Sequence, residues 1–116
     1  MSIASDFGLD REKLQEIRRA LHQMPEIGLE ELRTSDYVAA RLRRLGYEIH
    51  RGIAGTGVVG SMKNGTSGRA IGIRAEMDGL PMVEETGLPW ASTTPGKMHA
   101  CGHDGHMAMV LGAAEA

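Results

Sequence analysis

Aromatic side chains are scarce in this chain of 116 residues: Phe7, Tyr37, Tyr47 and Trp90 are all it has. Any core must therefore be packed by Ala, Val, Ile, Leu and eight methionines, whose unbranched thioethers fill irregular gaps. Cysteine occurs once, at Cys101, so no internal disulfide can form and nothing demands an oxidising compartment. An excess of either charge is missing too. Thirteen Lys and Arg against fifteen Asp and Glu leave a formal net charge of -2, which gives no basic footprint for nucleic acid or an acidic membrane surface. No run approaches the ~18 apolar residues of a membrane span. The opening Met-Ser-Ile-Ala-Ser-Asp-Phe lacks the basic and apolar stretches of a secretory leader. These absences describe a cytoplasmic protein of about one domain, with no nucleic-acid partner and no membrane partner.

The periodicities present are helical first. Asp10 is placed as the N-cap of a helix over roughly 10–23, in which Leu14, Ile17, Arg18 and Leu21 recur at helical spacing until Pro25 stops it. A second helix is expected over 30–45, with Leu32, Tyr37, Val38, Leu42 and Leu45 on one face and Gly46 as its C′ residue. Arg41, Arg43 and Arg44 near its end read as a solvated, dipole-matched terminus. Short segments of strand character follow at 47–51, 57–62 and 70–75. Lys63-Asn64-Gly65 reads as a hairpin or tight loop between the last two. The nearly all-apolar Ile71-Gly72-Ile73 is what a strand covered on both faces requires.

From 78 to 98 the chain is irregular, carrying Pro81, Pro89 and Pro95; a loop of that length in a compact domain is uncommon unless it is functional. A last helix is expected to open near Asp104 or Gly105, with Met107, Val110, Leu111 and Ala114 as its stripe. The order helix, helix, strands, loop, helix gives an α/β fold class with an incomplete sheet. Because the amphipathic pattern runs into Ala116 without a cap, the expectation is a piece of a longer protein.

Chemistry concentrates in one stretch. His99-Ala-Cys101-Gly-His103-Asp104-Gly-His106 holds three of the five histidines and the sole cysteine, all good ligands for zinc and similar divalent ions. Cys101 and His103, two apart, would diverge on a helix but converge on a loop or extended segment, and Gly102 between them lets the backbone fold closely round an ion. Asp104 is placed to cap the following helix or to hydrogen-bond a ligand. His99 and His106 stay open as ligands or neighbours. Upstream, Glu76 and Asp78 stand two apart at the end of the expected third strand, where carboxylates can ligate a metal or orient its ligands.

Three segments occur in order: Arg18-Arg19-Ala-Leu-His22-Gln-Met-Pro25-Glu26-Ile-Gly28-Leu-Glu30 through Thr34, then Arg74-Ala-Glu76-Met-Asp78-Gly-Leu-Pro81, then Met98-His99-Ala-Cys101-Gly-His103-Asp104-Gly-His106. Together they resemble the N-terminal part of the hippurate hydrolase, N-acyl-amino-acid amidohydrolase and indole-acetyl-amino-acid hydrolase branch of the aminoacylase-like metallopeptidases. The resemblance covers residues 11–116. It implies a metal-binding catalytic domain, of which residues 1–116 are a part, interrupted in the family by a lid or dimerisation domain that this chain lacks. It also implies a homodimer for the full-length protein.

By the same resemblance, Cys101 and His103 are metal ligands in a dinuclear centre of Zn, Mn, Co or Ni, and Asp78 is an outer-shell support. Related peptidases carry a ligating His where Glu76 stands, a duty this branch passes to Cys101; the branch commonly has Asp at 76. His22, Glu26 and Glu30 match the pattern and read as helix-turn packing and hydrogen bonding. The implied reaction is metal-assisted hydrolysis of the amide bond of a small N-acyl amino acid, as in hippurate. The general-base Glu is expected beyond residue 116, so the chain alone is expected to be inactive. A self-contained small metal-binding module and a truncated, non-catalytic product are the alternatives.

Overall fold

The computed structural model describes Gly8 and residues 10–116. The stretch 1–7, read above for a leader, lies outside the described residues, and Phe7 with it. Among the described residues there are three helices and one two-stranded antiparallel sheet, in the order α1 (Arg11–Gln23), α2 (Leu32–Arg44), β1 (Glu48–Ile53), β2 (Gly57–Ser61), α3 (His103–Glu115). None of the helices is long and apolar enough to cross a membrane.

α1 begins where Asp10 accepts hydrogen bonds from the backbone N–H of Glu12 at 2.9 Å and of Lys13 at 3.3 Å, satisfying two of the orphan donors of a helix start. α2 has no side-chain cap of its own at Glu31. Glu26 caps it from the preceding turn, accepting from the Thr34 N–H and Oγ1, each at 2.7 Å, and from the Arg33 N–H at 3.1 Å. The helix ends in a Schellman arrangement at Gly46: the Gly46 N–H donates to the Arg43 carbonyl and the Tyr47 N–H to the Leu42 carbonyl.

β1 and β2 pair from Glu48 opposite Ser61 to Ile53 opposite Gly57, with an irregularity between Arg51 and Ile53. The hairpin turn is Ala54-Gly55-Thr56, not the expected Lys63-Asn64-Gly65 break. That break has a strand on one flank only.

The expected third strand is a correction. Residues 70–75 form no ladder with the hairpin, and Ile71 and Ile73 are 91% and 63% exposed rather than covered on both faces. Apolar content marks a segment suited to burial, but a strand exists only where a neighbouring backbone accepts and donates its hydrogen bonds.

Ile17 and Leu21 of α1, Leu42 of α2, and Met107, Ala108 and Leu111 of α3 form the buried core, with Tyr47, Val58, Ala75 and Met77 packed at its edge. α1 and α3 approach closely at Gly112, and the Tyr47 hydroxyl donates to the Ala114 carbonyl at 2.9 Å. This packing fixes the first turn of α3 beside the end of α1 and the extended stretch before residue 80. A separate apolar cleft of about 370 Å³, lined by Val58, Ile73, Met77 and Leu111 among others, contains none of the donor groups described next.

Candidate metal centre

The first helical residue of α3 is His103, one or two positions earlier than the expected start at Asp104 or Gly105. Gly102 precedes it at φ 98°, a left-handed conformation natural to glycine, and this sharp entry sets the phase of the helix. With 3.6 residues per turn, His103 and His106 lie on one face while Asp104 is rotated away from them. The two imidazole rings are 5.7 Å apart.

Facing them is the stretch 74–79, which brings Glu76 and Asp78, two residues apart, to the same side. Glu76 and Asp78 therefore both reach α3. Glu76 Oε2 lies 3.1 Å from His106 Nδ1 and 4.0 Å from His103 Nε2, and Asp78 Oδ1 lies 2.9 Å from His103 Nδ1. Glu76, His103 and His106 each offer an atom within 4.8 Å of the others.

A carboxylate oxygen and two imidazole nitrogens this close are a donor set that fits a divalent cation. The hydrogen bond from His106 holds the Glu76 carboxyl below its ordinary 4.5; its own backbone amide acts the same way, burial opposes, and the nearby imidazoles add to the lowering. At neutral pH it is a carboxylate. Asp78 engages His103 through both its carboxylate and its backbone carbonyl, the latter at 3.0 Å, so that Nδ1 is occupied and Nε2 faces Glu76.

The irregular segment 78–98 is tied down at several points. Leu80 and Met98 pair at its base, each N–H donating to the other's carbonyl at 2.8 and 2.9 Å. The Gly79 N–H donates to the Glu26 carbonyl at 2.8 Å, and a Cβ at Gly79 would sit 3.0 Å from Pro25 Cβ and 3.2 Å from the Met98 carbonyl. Thr93 closes the end of α1 by donating its N–H and Oγ1 to the Gln23 carbonyl at 2.9 and 2.8 Å. The Arg19 guanidinium stacks 3.6 Å over the Trp90 ring.

The remaining candidates fall in different places. Cys101 is exposed and stands outside the Glu76, His103 and His106 group. Asp104 is not a cap: its buried carboxylate accepts from Arg18 Nε at 2.9 Å and faces His22 Nδ1 at 2.8 Å. His99 is buried, 6.5 Å ring to ring from His22, with neither nitrogen hydrogen-bonded among the described residues, and burial pushes its pKa down so that the neutral ring is favoured. His22 and Glu26 do the packing and hydrogen bonding read from the sequence, whereas the Glu30 side chain is exposed. Sequence reasoning left His106 and Glu76 open. The signal that would have paired the histidines was their i, i+3 spacing, hidden by placing the helix start after His103.

Residues 72–116 match the model of peptidase family M20/M25/M40. The matched segment contains Glu76, Asp78, Cys101, His103 and His106 together. The chain is 48% identical to hippurate hydrolase of Campylobacter jejuni, over 89% of this chain and 27% of that protein. It is 46% identical to thermostable carboxypeptidase 1 of Saccharolobus solfataricus, over 85% and 25% respectively. Its fold matches the crystal structure of the Bacillus subtilis YxeP protein, described as a dinuclear metal binding peptidase from the M20 family, with a TM-score of 0.84 at 40% identity, covering 90% of this chain and 29% of that one. The chain thus spans about a quarter of the length of the curated relatives it matches.

Proposed function

We propose that the whole protein hydrolyses the amide bond of N-acyl amino acids, hippurate-like compounds among them, with two divalent cations per active site, and that this chain supplies part of the metal centre. The observation that carries the reading is the convergence of Glu76, His103 and His106 within 4.8 Å, with Asp78 on the far nitrogen of His103. The similar proteins support it: one is a hippurate hydrolase, another a carboxypeptidase, and a third a dinuclear metal binding peptidase from the M20 family. In this reading residues 1–116 are part of a catalytic domain, the lid or dimerisation domain lies outside them, and the protein is a cytoplasmic homodimer.

His103 would offer Nε2 to a cation, Glu76 a carboxylate oxygen, and Cys101, carried over by family resemblance, a thiolate from the loop just before α3. Zn, Mn, Co and Ni all suit such a mixed sulfur, nitrogen and oxygen set. When bound, the metal supplies Lewis-acid polarisation of a carbonyl and a water acidic enough to act near neutral pH. Asp78 holds the His103 ring in one orientation, and Glu76 stays ionised under its hydrogen bond from His106. The general base is assigned to a Glu outside residues 1–116, a group typically worth ~10²–10⁴-fold in rate.

The test is hydrolysis of a panel of N-acyl amino acids by the whole protein with each of the four metals, beside the 116-residue chain alone. Metal-dependent release of amino acid by the whole protein and none by the chain is expected. An inert whole protein, or turnover by the chain above the metal blank, contradicts the reading.

A further inference from the structure

On the opposite side of the α3 first turn from the metal donors lies a second group of ionisable side chains that the reading above does not use. His22 of α1 is sandwiched between two carboxylates. Its Nδ1 is 2.8 Å from Asp104 Oδ2, and its Nε2 is 3.0 and 3.1 Å from the two oxygens of Glu84. All three side chains are at most 3% exposed. The outer ends of the row are held as well. Asp104 accepts from Arg18, and Glu84 accepts from the Ser92 N–H at 2.8 Å and from Thr86 Oγ1 at 2.5 Å. Burial disfavours the charged form of Glu84, yet the hydrogen bonds from Thr86, Ser92 and His22 outweigh it and hold the carboxyl below its ordinary 4.5.

The row joins three parts of the chain that are remote in sequence: α1, the irregular segment 78–98, and α3. A neutral imidazole carries one N–H and cannot donate to two carboxylates, so either the ring holds both protons or one carboxyl holds one. Either way, removing a carboxylate leaves a nitrogen of the buried His22 ring without its partner, and removing His22 takes away the link between the two carboxylates, which costs more than a surface contact. Apolar packing alone would bring α1 and α3 together but would not fix the rotation of α3 about its axis. The Asp104 contact does fix it, because Asp104 and His103 are consecutive on the helix: anchoring one to α1 sets the direction of the other.

We propose that Glu84, His22 and Asp104 form a positioning row that sets the phase of the α3 first turn, and so the direction of His103 and the metal affinity of the centre it belongs to. The inference rests on the metal reading above and assigns His22 and Glu84 a duty toward that centre which neither performs by touching it.

Cobalt(II) alone serves as the probe, titrated into the full chain with a competing chelator, with the ligand-field spectrum and the thermal midpoint recorded in parallel. Glu84→Gln and His22→Gln keep size and polarity but break the row. Each is expected to weaken cobalt binding about tenfold, in the range typical of groups that orient metal ligands, and to alter the ligand-field spectrum. The double variant should be no worse than the weaker single one, since both break the same row. Ile17→Val, a loss of core packing in the same helix, is the control: it should lower the thermal midpoint and leave affinity and spectrum alone. Unchanged affinity and spectrum in both Gln variants, or an equal change in Ile17→Val, would overturn the positioning role alone. If the unmodified chain binds no cobalt, the metal reading falls and this inference falls with it.

Discussion

His103 Nδ1 lies 2.9 Å from Asp78 Oδ1 and 3.0 Å from the Asp78 backbone carbonyl, which leaves Nε2 as the nitrogen turned toward Glu76. A carboxylate on the far nitrogen of a metal-binding imidazole fixes its tautomer and raises its basicity. Replacing that carboxylate by an amide, Asp78→Asn, should therefore weaken zinc binding about 10- to 100-fold while the helix content stays the same. Competition against a chromophoric chelator, with circular dichroism alongside, measures both.

Glu26 reaches forward to accept three hydrogen bonds at the start of α2. Glu26→Ala leaves the Arg33 and Thr34 N–H groups and the buried Thr34 hydroxyl without their acceptor and should cost about 1–2 kcal/mol, the worth of a helix cap. Urea unfolding would show it as a lower midpoint at unchanged slope.

Gly79 is packed so that a methyl group would press on Pro25 and on the Met98 carbonyl, the latter part of the pair closing the base of the irregular segment. Both neighbours are stiff. Gly79→Ala should destabilise the chain by roughly 1–3 kcal/mol, as overpacking does, whereas Gly68→Ala, with open space around it, should not. Thermal denaturation of the two variants side by side separates them.

Glu84 has a folded pKa below its ordinary 4.5. Its contribution to stability is present above that ordinary value and is lost as pH falls through the lower folded one, because the unfolded chain takes up the proton first. Stability against urea should thus drop on acidification below about pH 4.5, and Glu84→Gln should flatten that part of the curve. A variant with the same acid slope as the unmodified chain would show that Glu84 is not responsible.

The helices could be read from the sequence because their signals are local. Asp10 as a cap, Pro25 as a stop and Gly46 as a C′ residue act on neighbours within a turn, and each does so in the structure. The stretch 70–75 failed for the opposite reason: strand formation depends on a partner that no local pattern names. At the metal centre, residue types marked the right stretch of chain, but the pairing of Glu76 with His106 depended on where α3 begins. A shift of one residue moves a side chain about 100° around a helix. The Glu84, His22 and Asp104 row was out of reach altogether, since its members are separated by dozens of residues and meet only when the segment 78–98 folds back onto α1.

The central claim is that this chain carries part of a metal centre built on Cys101 and His103 with Glu76 and His106 beside them. Cobalt(II) titration followed by electronic absorption tests it most directly, because thiolate ligation and imidazole ligation leave separate signatures. The account predicts a thiolate-to-cobalt charge-transfer band that disappears in Cys101→Ser, and ligand-field bands that collapse in His103→Ala. A cobalt spectrum identical in the unmodified chain and both variants, or no spectrum beyond that of the free ion, would contradict it.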